Sequence, residues 1–268
     1  MKDLPKEFGG MAATPAAEHM FKTRSDAGYL DQETAELFHH VTAQLLFLGQ
    51  RRRPDIRNAV SFLCTRVKSP DNDDYKNLHR VIKHLWRTKF LRLTIEADQL
   101  DQNEWFIDAA FTVHEDMRSR TGVYMTFGRG MMNGASNKQK INTTSSTEAE
   151  VAGVHDNIPA VLWTRYFLQE QGYPLKPSIL HQDNQSSILI ENNGRASSGK
   201  RTQHMNIRYF FVSECLKRGH IIIRYWPTDD MIGDFFTKPL QGSKFRRFRN
   251  IIMNCSYDEY GPVDIDKY

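Results

Sequence analysis

Four acidic side chains stand where the local sequence disfavours a charge. Asp108 interrupts the strand-like run Phe106-Ile107-Asp108-Ala109-Ala110-Phe111, where an aspartate needs a reason. Asp183 ends the apolar run Ile179-Leu180-His181-Gln182, and ligands gather at strand ends in open α/β sheets. Asp234 lies within Met231-Ile232-Gly233-Asp234-Phe235-Phe236. The fourth is a choice between Glu148 and Glu150. Ser145-Ser146-Thr147-Glu148 reads as a capping box, with Ser145 as the cap and Glu148 reaching back to its N–H. In the helix that follows, Val151, Val154, Ile158 and Val161 form the buried stripe. Glu150 lies within about 40° of Val154, and Glu148 falls on the far side. Glu150 is therefore the residue aimed at a sheet.

Carboxylates that converge repel one another unless a divalent cation neutralises them. Ligation by oxygen alone suits Mg²⁺ or Mn²⁺. Two such ions, about 3.5–4 Å apart, can activate a water and stabilise the leaving oxygen of a phosphodiester. Taken singly, each acid has a plainer reading: Asp108 as an edge-strand residue, Asp183-Asn184 as a simple turn.

The elements that must position these residues follow from hydrophobic period. Residues 1–30 are rich in Ala, Gly, Pro and Lys without a sustained period and read as a flexible lead-in. From Asp31, Leu37, Val41, Leu45 and Leu48 recur at helical spacing. Pro54 suits the first turn of a second helix, which Ser69-Pro70 ends. A third helix places Leu78, Ile82, Leu85 and Trp86 on one face. After Phe90 the texture turns strand-like, in LRLTI (91–95), EWFIDAAFTV (104–113), TGVYMTFGR (121–129) and MMNGAS (131–136), with residues 118–122 as a hairpin connection. A long helix, which Pro159 should kink, leads to the strand at 178–183. A short helix, the loop 192–203, a helix over 204–219, the strand HIIIRYW (220–226) and two last helical segments complete the chain. Strands in series and then strand–helix alternation predict a mixed sheet with helices packed on it. The expected division is 1–30, a helical segment 31–95, an α/β domain 96–255 and a tail 256–268.

Composition narrows the class. Of 268 residues, 40% are hydrophobic and 25% charged, which is ordinary globular usage and excludes collagen, coiled coil and wholesale disorder. Cys64, Cys215 and Cys255 lie far apart with no CxxC, so neither a disulfide framework nor a cysteine-based zinc site is expected. No run approaches 18 apolar residues, so no membrane-spanning helix is expected, and the first residues lack the apolar core of a signal peptide. Residues 1–95 carry five excess positive charges, while 96–240, with 15 basic and 17 acidic side chains, are net −2. A basic front end beside a part that concentrates carboxylates suggests a polyanion partner.

These residues also carry a family resemblance. SSTEAEV (145–151), QDN (182–184) and GDFFTKPL (233–240) closely resemble the ribonuclease H domain of copia-type LTR retrotransposon polyproteins, whose usual forms are SxAEAEY, CDN and ADxFTKPL. FIDAAF (106–111), RSRTG (118–122), RTQHMNIRYFF (201–211) and RYWPTDD (224–230) resemble further segments of that domain. Upstream, residues 51–88 resemble the end of the reverse transcriptase of the same polyproteins, without its YVDD motif. The chain departs from the pattern in four places. Ala110 replaces a second acid, Gln203 a lysine and Asn206 an aspartate. Pro227-Thr228-Asp229-Asp230 holds no histidine where cellular ribonucleases H have one.

The resemblance implies an α/β, ribonuclease H-like fold, a five-stranded mixed sheet flanked by helices and preceded by a small all-helical segment. It implies Asp108, Glu150, Asp183 and Asp234 as the set that binds two Mg²⁺ ions, or Mn²⁺. It further implies endonucleolytic cleavage of the RNA strand of an RNA–DNA hybrid, leaving a 3′-hydroxyl and a 5′-phosphate. Partners would be the hybrid and the polymerase portion of the same polyprotein, with no membrane, in a cytoplasmic particle. Phosphate contacts are expected from Lys138, Lys140, Arg195, Lys200, Arg201 and His204. Arg51, Arg52, Arg53, Lys83, Arg87 and Lys89 could track the hybrid or face the absent polymerase. His39, His40, His79 and His84 read as ordinary helix residues, and Trp105, Trp163 and Trp226 as core or near-core. Two other functions fit less of the pattern: a decayed fragment that binds nucleic acid without turnover, and an integrase-type strand-transfer enzyme. The latter typically orders its acids Asp, Asp, Glu, whereas here glutamate comes second of four.

Overall fold

A computed structural model describes residues 10–24, 26–194 and 206–255, with the backbone alone of 206–209, 257–258 and 261–262. The chain forms two compact units, Met1–Ile95 with Lys238–Tyr268, and Glu96–Thr237. Residues 238–255, which the sequence reading placed with the sheet, thus group with the front helices.

The helical unit is built on α1 (Gln32–Arg51), α2 (Arg57–Cys64) and α3 (Asn72–Arg87). Asp31 caps α1 by accepting from the Thr34 N–H at 3.0 Å. A single 3₁₀ turn, Pro54–Ile56, feeds α2, as a proline at the first helical position favours. Asp71 and Asp74 form a reciprocal capping box at the start of α3. The core joins Phe38, Val41 and Leu45 of α1 to Ile56, Leu63, Leu78 and Ile82. One member of the expected α3 face is displaced: Trp86 is 39% exposed, and Val81 is buried with Leu78 and Leu85.

A charged cluster lies inside this unit. Arg53 grips Asp55 through two hydrogen bonds of 2.7 and 2.8 Å and reaches the Thr88 carbonyl and hydroxyl. His84 Nε2 approaches the same Asp55 carboxylate at 2.9 Å. All three side chains are buried, so Arg53 is a fixed internal partner and not the surface contact expected, and His84 is a buried partner rather than an ordinary helix residue. Burial alone would raise the Asp55 carboxyl. The Arg53 charge and the hydrogen bonds from Arg53 and His84 outweigh it and hold the group below the usual carboxylate range.

Residues 91–95, expected as a strand, have no regular structure. Leu91 instead packs on Met253, and the Thr94 N–H donates to the Met253 carbonyl at 3.0 Å. Met253 ends the last helix of this unit, 242–253, which buries Phe245, Phe248 and Ile252. The apolar alternation of 91–95 is thus used against a helix.

The second unit contains β1 (Glu96–Ala97), β2 (Glu104–Ala110), β3 (Arg120–Thr126), β4 (Gly128–Arg129), β5 (Asn133–Lys138), α4 (Ser146–Glu170), β6 (Ser178–Gln182), α5 (Gln185–Asn193), α6 (Asn206–Lys217), β7 (Ile221–Tyr225) and α7 (Asp234–Thr237). The helix 242–253 follows these as α8. Five strands form one sheet in the order β5-β3-β2-β6-β7. The β5-β3-β2 part is antiparallel, and β2-β6 and β6-β7 are parallel. Three antiparallel strands in series, followed by two parallel strands reached through helices, give the ribonuclease H-like arrangement that the resemblance implies. The stripe Val154, Ile158 and Val161 of α4 packs on Trp105, Ile107, Val123 and Leu180 of the sheet. α4 continues across Pro159. Trp226 is half-buried, but Trp163 is 65% exposed and stacks on Phe167, so it is not a core residue.

Removing one partner of a buried ion pair leaves the other charge uncompensated. Arg53→Ala is therefore expected to cost about 3–5 kcal/mol, read as a lower urea midpoint of the helical transition by circular dichroism. The depressed Asp55 carboxyl stabilises the fold above its unfolded value near 4. That contribution is lost as pH falls further, so the gap between parent and variant should close in acid. A gap that stays constant down to about pH 2 would contradict this assignment of the cluster.

Candidate metal centre

Register brings the first two carboxylates level. β2 and β6 run parallel, with Phe106 opposite His181. Two residues further along each chain stand Asp108 and Asp183, of equal parity and therefore on the same side. Ile107, of opposite parity, points into the core shared with α4. Glu150 comes from the first turns of α4. Its Oε1 accepts the Ala109 N–H at 3.1 Å, which aims it at the sheet as expected. Oxygen atoms of Asp108, Glu150 and Asp183 all lie within 4.8 Å of one another. Asp108 and Glu150 are buried, and Asp183 is half-buried.

This proximity is electrostatically unfavourable. Burial, then the charges of Asp108 and Asp183, push the Glu150 carboxyl well above its ordinary range, and the Ala109 N–H offsets only part of that rise. Glu150 Oε2 is buried without a hydrogen-bond partner. A carboxylate with one orphaned oxygen, grouped with two further carboxylates, is the donor chemistry of a hard divalent cation. The residues present therefore fit such an ion.

Glu148 is not the residue at the centre, and its structural task differs by one position from the expected one. Ser145 caps the helix by accepting from the Glu148 N–H at 3.1 Å. The Glu148 carboxylate, however, takes the N–H and hydroxyl of Thr144, both at 2.6 Å. It is buried rather than on an outer face.

Asp234 begins α7 and is buried, but it is not part of the three-carboxylate group. The same turn reaches the centre by another route. Thr237 donates its hydroxyl to Asp108 Oδ2 in a short hydrogen bond. The approach depends on two glycines. A Cβ on Gly233 would lie 2.6 Å from the Asp108 Cβ, and one on Gly122 would lie 2.5 Å from the Gly233 carbonyl oxygen.

Glu191, on α5, was not singled out from the sequence. It is completely buried, and neither carboxylate oxygen has a well-formed hydrogen bond. Burial drives its carboxyl well above the ordinary range, although Ser187 and Gln182 beside it oppose the rise, and its charge also acts on Glu150. The segment QSSILIENN has no clear apolar period, so its burial has no local signal. Of the expected phosphate contacts, Lys138 pairs with Asp116 at 2.7 Å, and Lys140 is exposed. Arg195, Lys200, Arg201 and His204 lie outside the described residues.

A ribonuclease H-like sheet with three carboxylates meeting beside its central strand defines the class of molecule. The chain's relatives, over most of its length, are Pol polyproteins of copia-type transposons. It is 23% identical over 245 residues to the retrovirus-related Pol polyprotein from transposon TNT 1-94 of Nicotiana tabacum, which covers 90% of this chain and 18% of that protein. It is 28% identical over 203 residues to the corresponding polyprotein from transposon RE2 of Arabidopsis thaliana, covering 73% and 14%. The Ty1-JR2 Gag-Pol polyprotein of Saccharomyces cerevisiae is 23% identical over 240 residues, covering 83% and 13%. The chain thus spans less than a fifth of the length of these curated relatives. No protein-family model matches it. Among solved structures, LC11 ribonuclease H1, isolated from compost, matches 48% of this chain and 87% of its own, at 12% identity and a TM-score of 0.35. The same enzyme in complex with an RNA/DNA hybrid matches at 11% and 0.34.

Two tests follow from this geometry. Gly233→Ala forces the turn before α7 away from Asp108. It is expected to cost about 1–3 kcal/mol and to weaken binding of Mn²⁺ measured calorimetrically. Unchanged Mn²⁺ affinity would show that the contact does not shape the centre. Glu150 and Glu191 both have raised folded-state values. Their contributions to stability are full below about 4.5 and are lost as pH rises through the raised values. Without divalent cations the melting temperature of the chain should therefore fall from about pH 5 to about pH 8. Millimolar Mg²⁺ should restore more of it at the upper end. Equal Mg²⁺ stabilisation at both ends would count against the cluster as a cation site.

Proposed function

We propose that this chain is the ribonuclease H portion of a copia-type Pol polyprotein and hydrolyses the RNA strand of RNA–DNA hybrids endonucleolytically, with divalent metal ions. The observation that carries the reading is the meeting of Asp108, Glu150 and Asp183, from three separate elements, within 4.8 Å. Asp108, Glu150 and Asp183 would hold two Mg²⁺ ions, or Mn²⁺, with Asp234 completing the set from the start of α7. When bound, the ions supply activation of a water and stabilisation of the leaving 3′-oxygen. The chain's own groups orient the ligands. The Ala109 N–H takes one Glu150 oxygen, and the other is buried without a hydrogen-bond partner. Thr237 fixes one oxygen of Asp108. Lys138, Lys140, Arg195, Lys200, Arg201 and His204 would meet phosphates, and Lys138 would exchange Asp116 for one of them. The hybrid would be chosen by 2′-hydroxyls on one strand and by groove shape, without reading bases.

A second reading is a fragment that binds nucleic acid without turnover. The place of Asp234 outside the three-carboxylate group is the observation that favours it. Incubation with a labelled hybrid separates the two. Cleavage should require Mg²⁺ or Mn²⁺ and spare double-stranded DNA. Asp108→Asn should lower the rate by several kcal/mol of transition-state stabilisation, about a thousandfold or more. A variant that cuts as fast as the parent would rule out the assigned site. Tight hybrid binding with no cleavage in Mn²⁺ would establish the second reading.

A further inference from the structure

The helical unit holds a cleft of about 380 Å³ at the junction of α1, the end of α3 and the segment that follows. Leu48 and Leu85 line it from the two helices, and Leu91 and Leu93 from the segment. Its charged lining is all of one sign: Arg52, Arg53, Lys89 and Arg92, with no carboxylate. Arg53 is committed to Asp55. Arg52, Lys89 and Arg92 are exposed and form no ion pair among the described residues. Like charges gathered around an apolar floor, with no acid between them, call for an anionic partner that also has a flat or apolar body.

Two aromatic rings extend the same chemistry. Phe90, between the lining residues Lys89 and Leu91, is 58% exposed, and the Lys89 ammonium lies 4.9 Å from its ring centre. Phe47, next to Leu48, is 66% exposed, and the Arg51 guanidinium lies 5.8 Å from its ring. Neither ring is in the lining of the cleft, but both are exposed beside residues that are. Exposed rings next to cations that form no ion pair are parts used for single-stranded nucleic acid, where cations follow the phosphates, and rings and apolar floor take the bases. A duplex keeps its bases stacked inside and would leave the leucine floor and both phenyl faces unused.

We propose that this cleft is a binding site for single-stranded nucleic acid, separate from the carboxylate centre. Arg52, Lys89 and Arg92 would contact successive phosphates, and Phe47 and Phe90 would stack on bases. The proposal does not depend on the carboxylate centre, because the site holds none of its residues.

The test uses the full chain carrying Asp108→Asn, in EDTA, so that cleavage plays no part. The probe is a fluorescent 20-nucleotide oligodeoxythymidylate, compared with a duplex of equal length. The strand should bind more tightly than the duplex. Replacing Arg52, Lys89 and Arg92 together by Ala should weaken it by tenfold or more at about 0.1 M salt. The same change should reduce the slope of log affinity against log salt by about 2, since each single-strand phosphate contact contributes about 0.7. Phe47→Ala with Phe90→Ala should weaken binding by about tenfold and leave the slope unaltered. The replaced side chains are exposed, and unchanged circular dichroism would certify the fold. Parental affinity in the triple variant would overturn the proposal. So would displacement of the strand by poly-glutamate at equal charge with no effect of the phenylalanine changes, which would assign the cleft to an acidic protein segment. Hybrid cleavage by the chain with Asp108 and the cleft both intact, with Mg²⁺, reports on the ribonuclease reading alone.

Discussion

The repulsion among Asp108, Glu150 and Asp183 is the constraint around which the sheet unit is arranged. Bringing two buried carboxylates and a half-buried one within 4.8 Å of one another costs several kcal/mol per buried charge in desolvation, before their mutual repulsion is added. The Ala109 N–H on Glu150 and the Thr237 hydroxyl on Asp108 offset part of that cost. The rest is met by elements held for other reasons. β2 is hydrogen-bonded on both sides, to β3 and β6, and so cannot retreat. β6 fixes Asp183 by the register of a parallel pair. α4 is anchored by Val154, Ile158 and Val161 and carries Glu150 rigidly to the end of β2. Gly122 and Gly233 then allow α7 to close over Asp108 at a distance that any Cβ would prevent.

How much of this could be read from the chain depends on whether the cause is local. The strands bearing Asp108 and Asp183 show as apolar runs interrupted by a charge, and the stripe that orients Glu150 is a plain helical period. Both are properties of neighbouring residues. The face of α3 differs at its last member because Trp86 lies about 80° around the helix from Leu78, whereas Leu85 and Val81 lie about 20° and 60° to the other side. Glu148 was rightly given a capping task, but its acceptor contacts shifted to Thr144, a change of one residue in backbone direction that no residue type encodes. Glu191 had no periodic signal at all, since its burial is imposed by tertiary packing of α5. His84 read as an ordinary helix residue because its partner Asp55 is 29 positions away. Asp234 was legible as a misplaced acid, but the direction of its carboxylate depends on a four-residue turn.

The two units treat buried acids in opposite ways, and the contrast bears on function. Asp55 is given a guanidinium, an imidazole and good hydrogen bonds, so its charge is matched from within and its carboxyl sits below the ordinary range. That is how a chain buries a charge for architecture. Glu150 is given one backbone N–H and two further carboxylates, and its second oxygen is left without a partner. Arginine and histidine were available to this fold, as the helical unit demonstrates, yet the described residues place neither within the group. Internal compensation there would stabilise the apo protein but would also occupy the oxygens that a cation needs. The gathering of Glu150 with Asp108 and Asp183 is therefore best understood as stability forgone locally, with the large shared core of sheet and α4 making that deficit tolerable.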